Sequence, residues 1–154
     1  MNQLLQKIDH INIVVKDLEM VKEFFLSLGF ELKDQSRLKG DWISQTVGLD
    51  NVDAEYVRLT LPGDSMSLEL ISFDNPPINE IDYPDKANTQ GFRHLAFQVR
   101  DIEKTVAVLR EKGVEPFSPI QEFTKTGKKL IYFRGPEGIL LELAQYSDWK
   151  NNYQ

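Results

Sequence analysis

An internal repeat constrains the fold of this chain more than any other feature of its sequence. Residues 8–32 return 84 positions later as residues 92–116, with their distinctive side chains in the same order. The chain has two histidines, and each is followed by an Asp seven residues on and by a Gly nineteen residues on. The equivalent positions are His10 and His94, Asp17 and Asp101, and Gly29 and Gly113. Such a repeat predicts two copies of one supersecondary unit.

The size and composition of the chain narrow the class of protein. Its 154 residues, 41% of them hydrophobic, suffice for one compact domain or for two small modules that share a core. A net charge of −6 argues against a nucleic-acid partner, because phosphate binding needs a basic surface. The absence of cysteine excludes disulfides and thiolate metal sites, and no apolar run is long enough to span a membrane. We therefore expect a cytoplasmic protein that binds neither nucleic acid nor a membrane.

The first copy reads as a strand, a helix and three further strands. Residues 7–15 alternate between polar and β-branched side chains, as a half-buried strand does. Asp17 is placed to cap the helix that follows, and Gly29 supplies the left-handed residue that ends it. Residues 30–33, 55–61 and 66–73 give the other three strands, and residues 38–54 form a long loop that contains Trp42.

The second copy repeats this order with fewer residues. Its helix begins at the cap Asp101 and ends at Gly113, and its strands are predicted at 93–99, 115–120, 129–134 and 139–146. The sequence thus predicts an α+β fold, with two tandem βαβββ modules in a single domain of residues 1–154. Its parts are module one at about 7–73, a linker at 74–91, module two at about 92–146 and a polar tail at 147–154.

Each module also carries a His on its first strand and a Glu on its last strand. The pairs are His10 with Glu69 and His94 with Glu142. Because side chains alternate across a strand, each His lies opposite the aliphatic residues, which we expect to pack on the module's own helix. Both glutamates sit between leucines, and a buried carboxylate needs a partner that neutralises it. Two imidazoles and two carboxylates, with water completing the shell, suit Ni²⁺, Co²⁺, Mn²⁺, Fe²⁺ or Zn²⁺.

Each of these residues also has an ordinary structural explanation. A single strand histidine is more often a core or surface residue than a ligand, and a single Leu-Glu-Leu segment is more often a half-exposed strand. What favours a metal site is the equivalence of the two pairs. Five other positions each have two interpretations. Trp42 is either a wall of the substrate pocket or a packing residue of its loop, and Asn12 and Gln98 either contact the substrate or hydrogen-bond to the metal ligands. Arg58 and Arg134 either anchor a substrate carboxylate or face the solvent.

The repeated motifs resemble those of the vicinal oxygen chelate superfamily, in which paired βαβββ modules form a glyoxalase/bleomycin-resistance-type cleft. The resemblance covers roughly residues 7–146. It is carried by DHINIVVKD at 9–17, SLEL at 67–70, FRHLAFQV at 92–99 and FRGPEGILLEL at 133–143. The resemblance implies that one divalent metal is held by His10, Glu69, His94 and Glu142.

The resemblance to glyoxalase I also implies a chemistry. The protein would be a metal-dependent lyase or isomerase, like lactoylglutathione lyase, in which the metal acts as a Lewis acid on two oxygens of a small-molecule substrate. Glu142 would be the base that moves a proton alpha to a carbonyl, with Glu69 on the opposite side of the metal. Asn12, Gln98 and Trp42 are the candidate substrate contacts.

Two departures from glyoxalase I leave alternatives open. Val14 and Phe73 stand where glyoxalase I has the Arg and the Asn that hold glutathione, which argues for a different cosubstrate. An Fe²⁺ ring-cleaving dioxygenase would use two His and one carboxylate, and Glu69 as a fourth ligand argues against it. A small-molecule binding or resistance protein of the same fold, without turnover, would not need the four ligands. Relatives place the site within one chain or across a dimer, so a homodimer is a further expectation.

Overall fold

The computed structural model of the protein describes residues 3–81 and 86–147. The chain divides into two compact units, Met1–Ile81 and Asp82–Gln154. Part of the predicted linker and nearly all of the predicted polar tail, 82–85 and 148–154, lie outside the described residues. In the described parts of the chain, none of the helices has the length and apolar character needed to cross a membrane.

The first unit contains one four-stranded sheet and two helices. In chain order these are β1 His10–Val14, α1 Leu18–Ser27, β2 Glu31–Lys39, α2 Asp41–Val47, β3 Asp53–Thr60 and β4 Ser67–Asn75. The strand order is β1-β4-β3-β2, with β1 parallel to β4 and the other pairs antiparallel. This order places β4, which carries Glu69, in the interior of the sheet.

Helix α1 forms as the sequence predicts. The Asp17 side chain accepts a hydrogen bond of 3.0 Å from the backbone N–H of Met20, which satisfies one of the donors left open at a helix start. Gly29, with φ of +107°, follows the end of the helix. Val21 and Phe25 are fully buried, and α1 packs against β3 and β4. The helix therefore covers the aliphatic face of the sheet.

The predicted loop at 38–54 was wrong, because it contains helix α2. Gly40 precedes this helix with φ of +106°, and Gly48 ends it in the left-handed conformation. Its buried residue Ile43 packs in a second small core that also contains Ala54 and Ile71. A seven-residue helix with one buried side chain has no helical apolar period to detect, which explains the error.

The second unit repeats the arrangement without a counterpart of α2 among its described residues. Its elements are β5 Leu95–Gln98, α3 Ile102–Glu111, β6 Gln121–Phe123, β7 Lys128–Arg134 and β8 Leu140–Gln145. The strand order is β5-β8-β7-β6, with β5 parallel to β8 and the other pairs antiparallel. The Asp101 side chain caps α3 by accepting from the N–H of Lys104 at 2.9 Å, as predicted. The α+β fold of two βαβββ modules is confirmed.

The predicted strand at 115–120 was wrong, since the strand in this part of the unit is β6. Pro116 and Pro119 interrupt the segment, and proline cannot donate a backbone hydrogen bond to a neighbouring strand. What remains is an isolated bridge between Pro116 and Phe133, with the N–H of Phe117 donating to the carbonyl of Tyr132 at 3.0 Å. The backbone of this segment therefore cannot complete a ladder.

Candidate active site

The two glutamates lie on the interior strands of their sheets. Glu69 on β4 is aligned with Asn12 on β1, so the two side chains share a face, as predicted. Glu142 on β8 is aligned with Ala96 on one side and Tyr132 on the other. Strand β8 is buried on both faces, and Glu142 itself is 6% exposed. The fold therefore removes this carboxylate from most of its water, which makes a compensating partner necessary.

In the first unit, His10 and Glu69 come together. The Nε2 atom of His10 lies 3.7 Å from Oε2 of Glu69, and the amide of Asn12 donates to Oε1 of Glu69 at 3.0 Å. On the other side of the imidazole, Nδ1 of His10 lies 2.7 Å from a carboxylate oxygen of Asp9. A carboxylate at Nδ1 favours the tautomer that leaves the Nε2 lone pair toward Glu69. The same hydrogen bond lowers the pKa of Asp9.

In the second unit, His94 and Glu142 make the equivalent pair. Nε2 of His94 lies 3.2 Å from Oε2 of Glu142. The ring of Tyr132 is tilted against the imidazole of His94, with 4.9 Å between the ring centres. Burial and the charge of Glu142 both raise the pKa of Tyr132, so its phenol stays protonated at neutral pH. The pair is therefore bordered by a neutral aromatic hydroxyl.

The spacing of the second pair fits two donors to one cation, and the spacing of the first pair is slightly too long. With bonds of about 2.1 Å, two donors to one ion lie about 3.0 Å apart at a right angle and about 3.4 Å apart at a tetrahedral angle. The His94–Glu142 distance of 3.2 Å falls in that range, and the His10–Glu69 distance of 3.7 Å is slightly longer. Among residues 3–81 and 86–147, no group of three or more His, Asp or Glu side chains is assembled as metal ligands. The structure thus shows the candidate ligands as two pairs.

The three candidate substrate contacts have different settings. Asn12 is exposed and is hydrogen-bonded to Glu69, as described above. Gln98 is exposed on β5 and aligned with Ala144, on the face of the sheet that carries Glu142. Trp42 belongs to α2 and is 61% exposed. All three are accessible to a small molecule.

Two residues beside the candidate ligands were missed by the sequence analysis. Asp9 was quoted only as part of a motif, although an Asp directly before a strand histidine is a signal for an oriented imidazole. Tyr132 lies in a hydrophobic strand and carries no local signal at all. Its place beside His94 depends on the register between β7 and β8, which aligns it with Glu142.

A cavity of about 510 Å³ opens in the second unit and is lined in part by Tyr132. Its lining is mostly aromatic and aliphatic, with Phe117, Phe123, Leu130, Ile131 and Tyr132 joined by Ser118, Gln121 and Glu122. Tyr132 both lines the cavity and contacts His94, so this residue connects the cavity with the second His–Glu pair. Apolar cavities of this size with a few polar groups are typical of small-molecule sites.

Comparison with known proteins places the chain in a family. It is 35% identical to the uncharacterized protein YwkD of Bacillus subtilis (strain 168), over 92% of this chain and 98% of that protein. It is 30% identical to the uncharacterized protein YaeR of Escherichia coli (strain K12), over 92% and 97%. A crystal structure of a glyoxalase family protein from Bacillus cereus superposes with a TM-score of 0.86 at 30% identity, covering 94% of this chain and 96% of that one. The family model described as Glyoxalase/Bleomycin resistance protein/Dioxygenase superfamily matches residues 7–143, and the chain belongs to that superfamily.

Proposed function

We propose that the protein is a glyoxalase I-like, metal-dependent lyase or isomerase. In this proposal His10, Glu69, His94 and Glu142 hold one divalent ion. The observation that carries it is the duplication: each unit brings one imidazole nitrogen to within 3.7 Å or less of one carboxylate oxygen. A chance His–Glu contact in one sheet would be unremarkable, but its recurrence at equivalent positions of both sheets favours a common ligand.

The four side chains differ in their surroundings, and this difference suggests their roles. Glu142 is the most enclosed of the four, so its carboxylate is the least stabilised by water and the best placed as a base. It would take the proton alpha to a substrate carbonyl and return it at the neighbouring carbon, while Glu69 remains hydrogen-bonded to Asn12. When bound, the ion would supply Lewis-acid stabilisation of two substrate oxygens.

The cavity beside Tyr132 supports a small organic substrate, such as a 2-oxo compound or a thioester. Its aromatic and aliphatic lining would hold the uncharged part of the molecule. The exposed amides of Asn12 and Gln98 lie on the faces that carry the glutamates and could bond its oxygens. Trp42 would border the site from α2. Val14, half exposed on β1, offers no group for the glutathione carboxylate, so another thiol is favoured.

Metal analysis with matched variants tests the proposal. Purified protein, reconstituted with Ni²⁺, Zn²⁺ or Fe²⁺, should hold one ion per chain. Because one ion needs both pairs, H10A and H94A should each abolish tight binding, and a matched change of the exposed helix residue, E111Q, should leave it intact. If H10A and H94A each retained one ion, the two His–Glu pairs would bind metal separately. One ion per chain is expected both when the two pairs meet in one chain and when they meet across a homodimer. The molecular mass in solution distinguishes these two arrangements.

Activity on the methylglyoxal hemithioacetals of glutathione and of bacillithiol tests the chemistry. E142Q should lower kcat by at least about 100-fold, because a general base contributes roughly 10²- to 10⁴-fold. The other two interpretations give different results. Absence of bound metal at neutral pH after reconstitution would favour a binding protein without turnover, and oxygen consumption with a catechol and Fe²⁺ would indicate a dioxygenase. Fractionation of cells, with the protein in the cytoplasmic fraction, tests its location.

A further inference from the structure

A continuous row of polar side chains crosses the first sheet at the level of Glu69. The strand registers align Asn12 with Glu69, Glu69 with Arg58, and Arg58 with Asp34. Aligned residues on neighbouring strands point to the same face, with β-carbons about 5 Å apart. The row therefore places a guanidinium on the same face as the candidate ligand Glu69, between two carboxylates.

Both carboxylates beside Arg58 already have other partners. Glu69 accepts from Asn12, and Asp34 accepts a short hydrogen bond from the hydroxyl of Tyr56. Arg58 is exposed, and its charge helps to lower the pKa of Asp9, while among residues 3–81 and 86–147 no carboxylate oxygen lies within 4.0 Å of its guanidinium. Its donors, which form a planar fork, are thus available to an incoming group.

We propose that Arg58 binds a carboxylate of the substrate, so that the substrate class is a 2-oxo acid with a second, distal carboxylate. This inference rests on the function proposed above. The negative charges of Asp9, Asp34 and Glu69 on or beside this face would repel an anion, and Arg58 offsets them where the row crosses β3. A guanidinium can bind a carboxylate through two parallel hydrogen bonds, which gives orientation as well as affinity.

Arg58 has one competing role, which is to neutralise Glu69 and so support the candidate ligand. The two roles predict different losses. A substrate anchor affects the affinity for one end of the substrate and leaves metal binding unchanged. A neutralising residue affects metal binding, and through it every ligand equally.

The test compares two five-carbon acids, 2-oxoglutarate and 2-oxovalerate, which differ by the distal carboxylate. Their Kd values and that of Zn²⁺ are measured by calorimetry on wild type, R58M, R58K and a matched exposed cation variant, K33M. In the Zn²⁺-loaded wild type, 2-oxoglutarate should bind about tenfold or more tightly than 2-oxovalerate. R58M should reduce that ratio to near one with unchanged Zn²⁺ affinity, R58K should keep part of it, and K33M should keep all of it.

Four results would overturn the inference. Equal binding of the two acids by wild type, or an unchanged ratio in R58M, would exclude the anchor. A loss of Zn²⁺ affinity in R58M with equal weakening of both acids would show the neutralising role. Failure of wild type to bind Zn²⁺ would remove the proposed function and this inference together, and is recognised before any acid is added.

Discussion

Replacing Glu142 by Gln should move stability in opposite directions with and without metal. The side chain is buried on the interior strand β8, and its close polar neighbour is His94 at 3.2 Å. Gln has nearly the same size but no charge, so the metal-free protein loses a desolvated carboxylate. A buried carboxylate carries a desolvation cost that the neutral amide of Gln lacks. Because Gln can keep the polar contact with His94, and no fully enclosed polar side-chain atom of the described residues lacks a partner, we expect a small gain, at most about 1 kcal/mol.

With metal present, E142Q should instead lower the stability of the protein relative to wild type. A ligand at 100 times its Kd stabilises the folded state by about 2.7 kcal/mol, which raises Tm by roughly 5–10 °C in a chain of this size. If losing one of four ligands weakens binding about 100-fold, the same metal concentration equals the new Kd and contributes only about 0.4 kcal/mol. The metal-induced rise in Tm should therefore fall to about 1 °C in E142Q, while the metal-free Tm stays equal or rises by up to about 4 °C.

Thermal unfolding followed by circular dichroism, with and without Zn²⁺ and with E111Q as the exposed control, measures both quantities. A metal-dependent rise in Tm as large in E142Q as in wild type would refute Glu142 as a ligand. A large fall in the metal-free Tm would show that the Glu142 carboxylate stabilises the fold itself, and the reasoning from desolvation would be wrong.

Three further predictions concern other parts of the chain. D9A should weaken Zn²⁺ binding about tenfold in a chelator competition, because the carboxylate that orients His10 is lost; unchanged affinity would contradict this. F25A should lower the unfolding free energy in urea by about 3–5 kcal/mol, since the ring is fully buried. The Arg37 guanidinium holds the pKa of Asp53 below 3.8. The stabilisation of the fold by this ion pair is therefore present above pH 3.8 and is lost as the pH falls through the lower pKa of the folded state. The stability difference between wild type and R37Q should therefore shrink as the pH falls below about 3.8, and a constant difference in urea titrations would contradict this.

Features encoded within a few residues could be predicted from the sequence. The caps Asp17 and Asp101 act on N–H groups three residues away, so their spacing alone locates the starts of α1 and α3. The repeat then predicted the order of helix and strands along the chain in each module, by analogy between the two copies. Helix α2 could not be predicted in this way, because it is short and its packing depends on Ile71 and other residues distant in the chain.

For the candidate site, the sequence predicted which faces of the strands carry the named side chains, but not their surroundings. Alternation placed Asn12 and Glu69 on one face, and the register confirms it. Two features of the site depend on the number of residues in each hairpin turn. These are the contact of Tyr132 with His94 and the row of polar side chains through Arg58. A shift of one residue in a strand register would turn these side chains to the opposite face. Sequence patterns do not determine the number of residues in a turn, whereas the observed strand pairing does.

The duplication also explains why the proposed chemistry would need the whole chain. One module offers one imidazole and one carboxylate, and catalytic metal sites use three or four protein ligands. A pair alone would hold an ion weakly, so in the proposed function each module would contribute half of the ligands. The two pairs are unequal, since Glu142 is buried and Glu69 is more exposed and shares a row with Arg58. In the proposal, that asymmetry would let one carboxylate act as a base while the face around the other receives the charged end of a substrate.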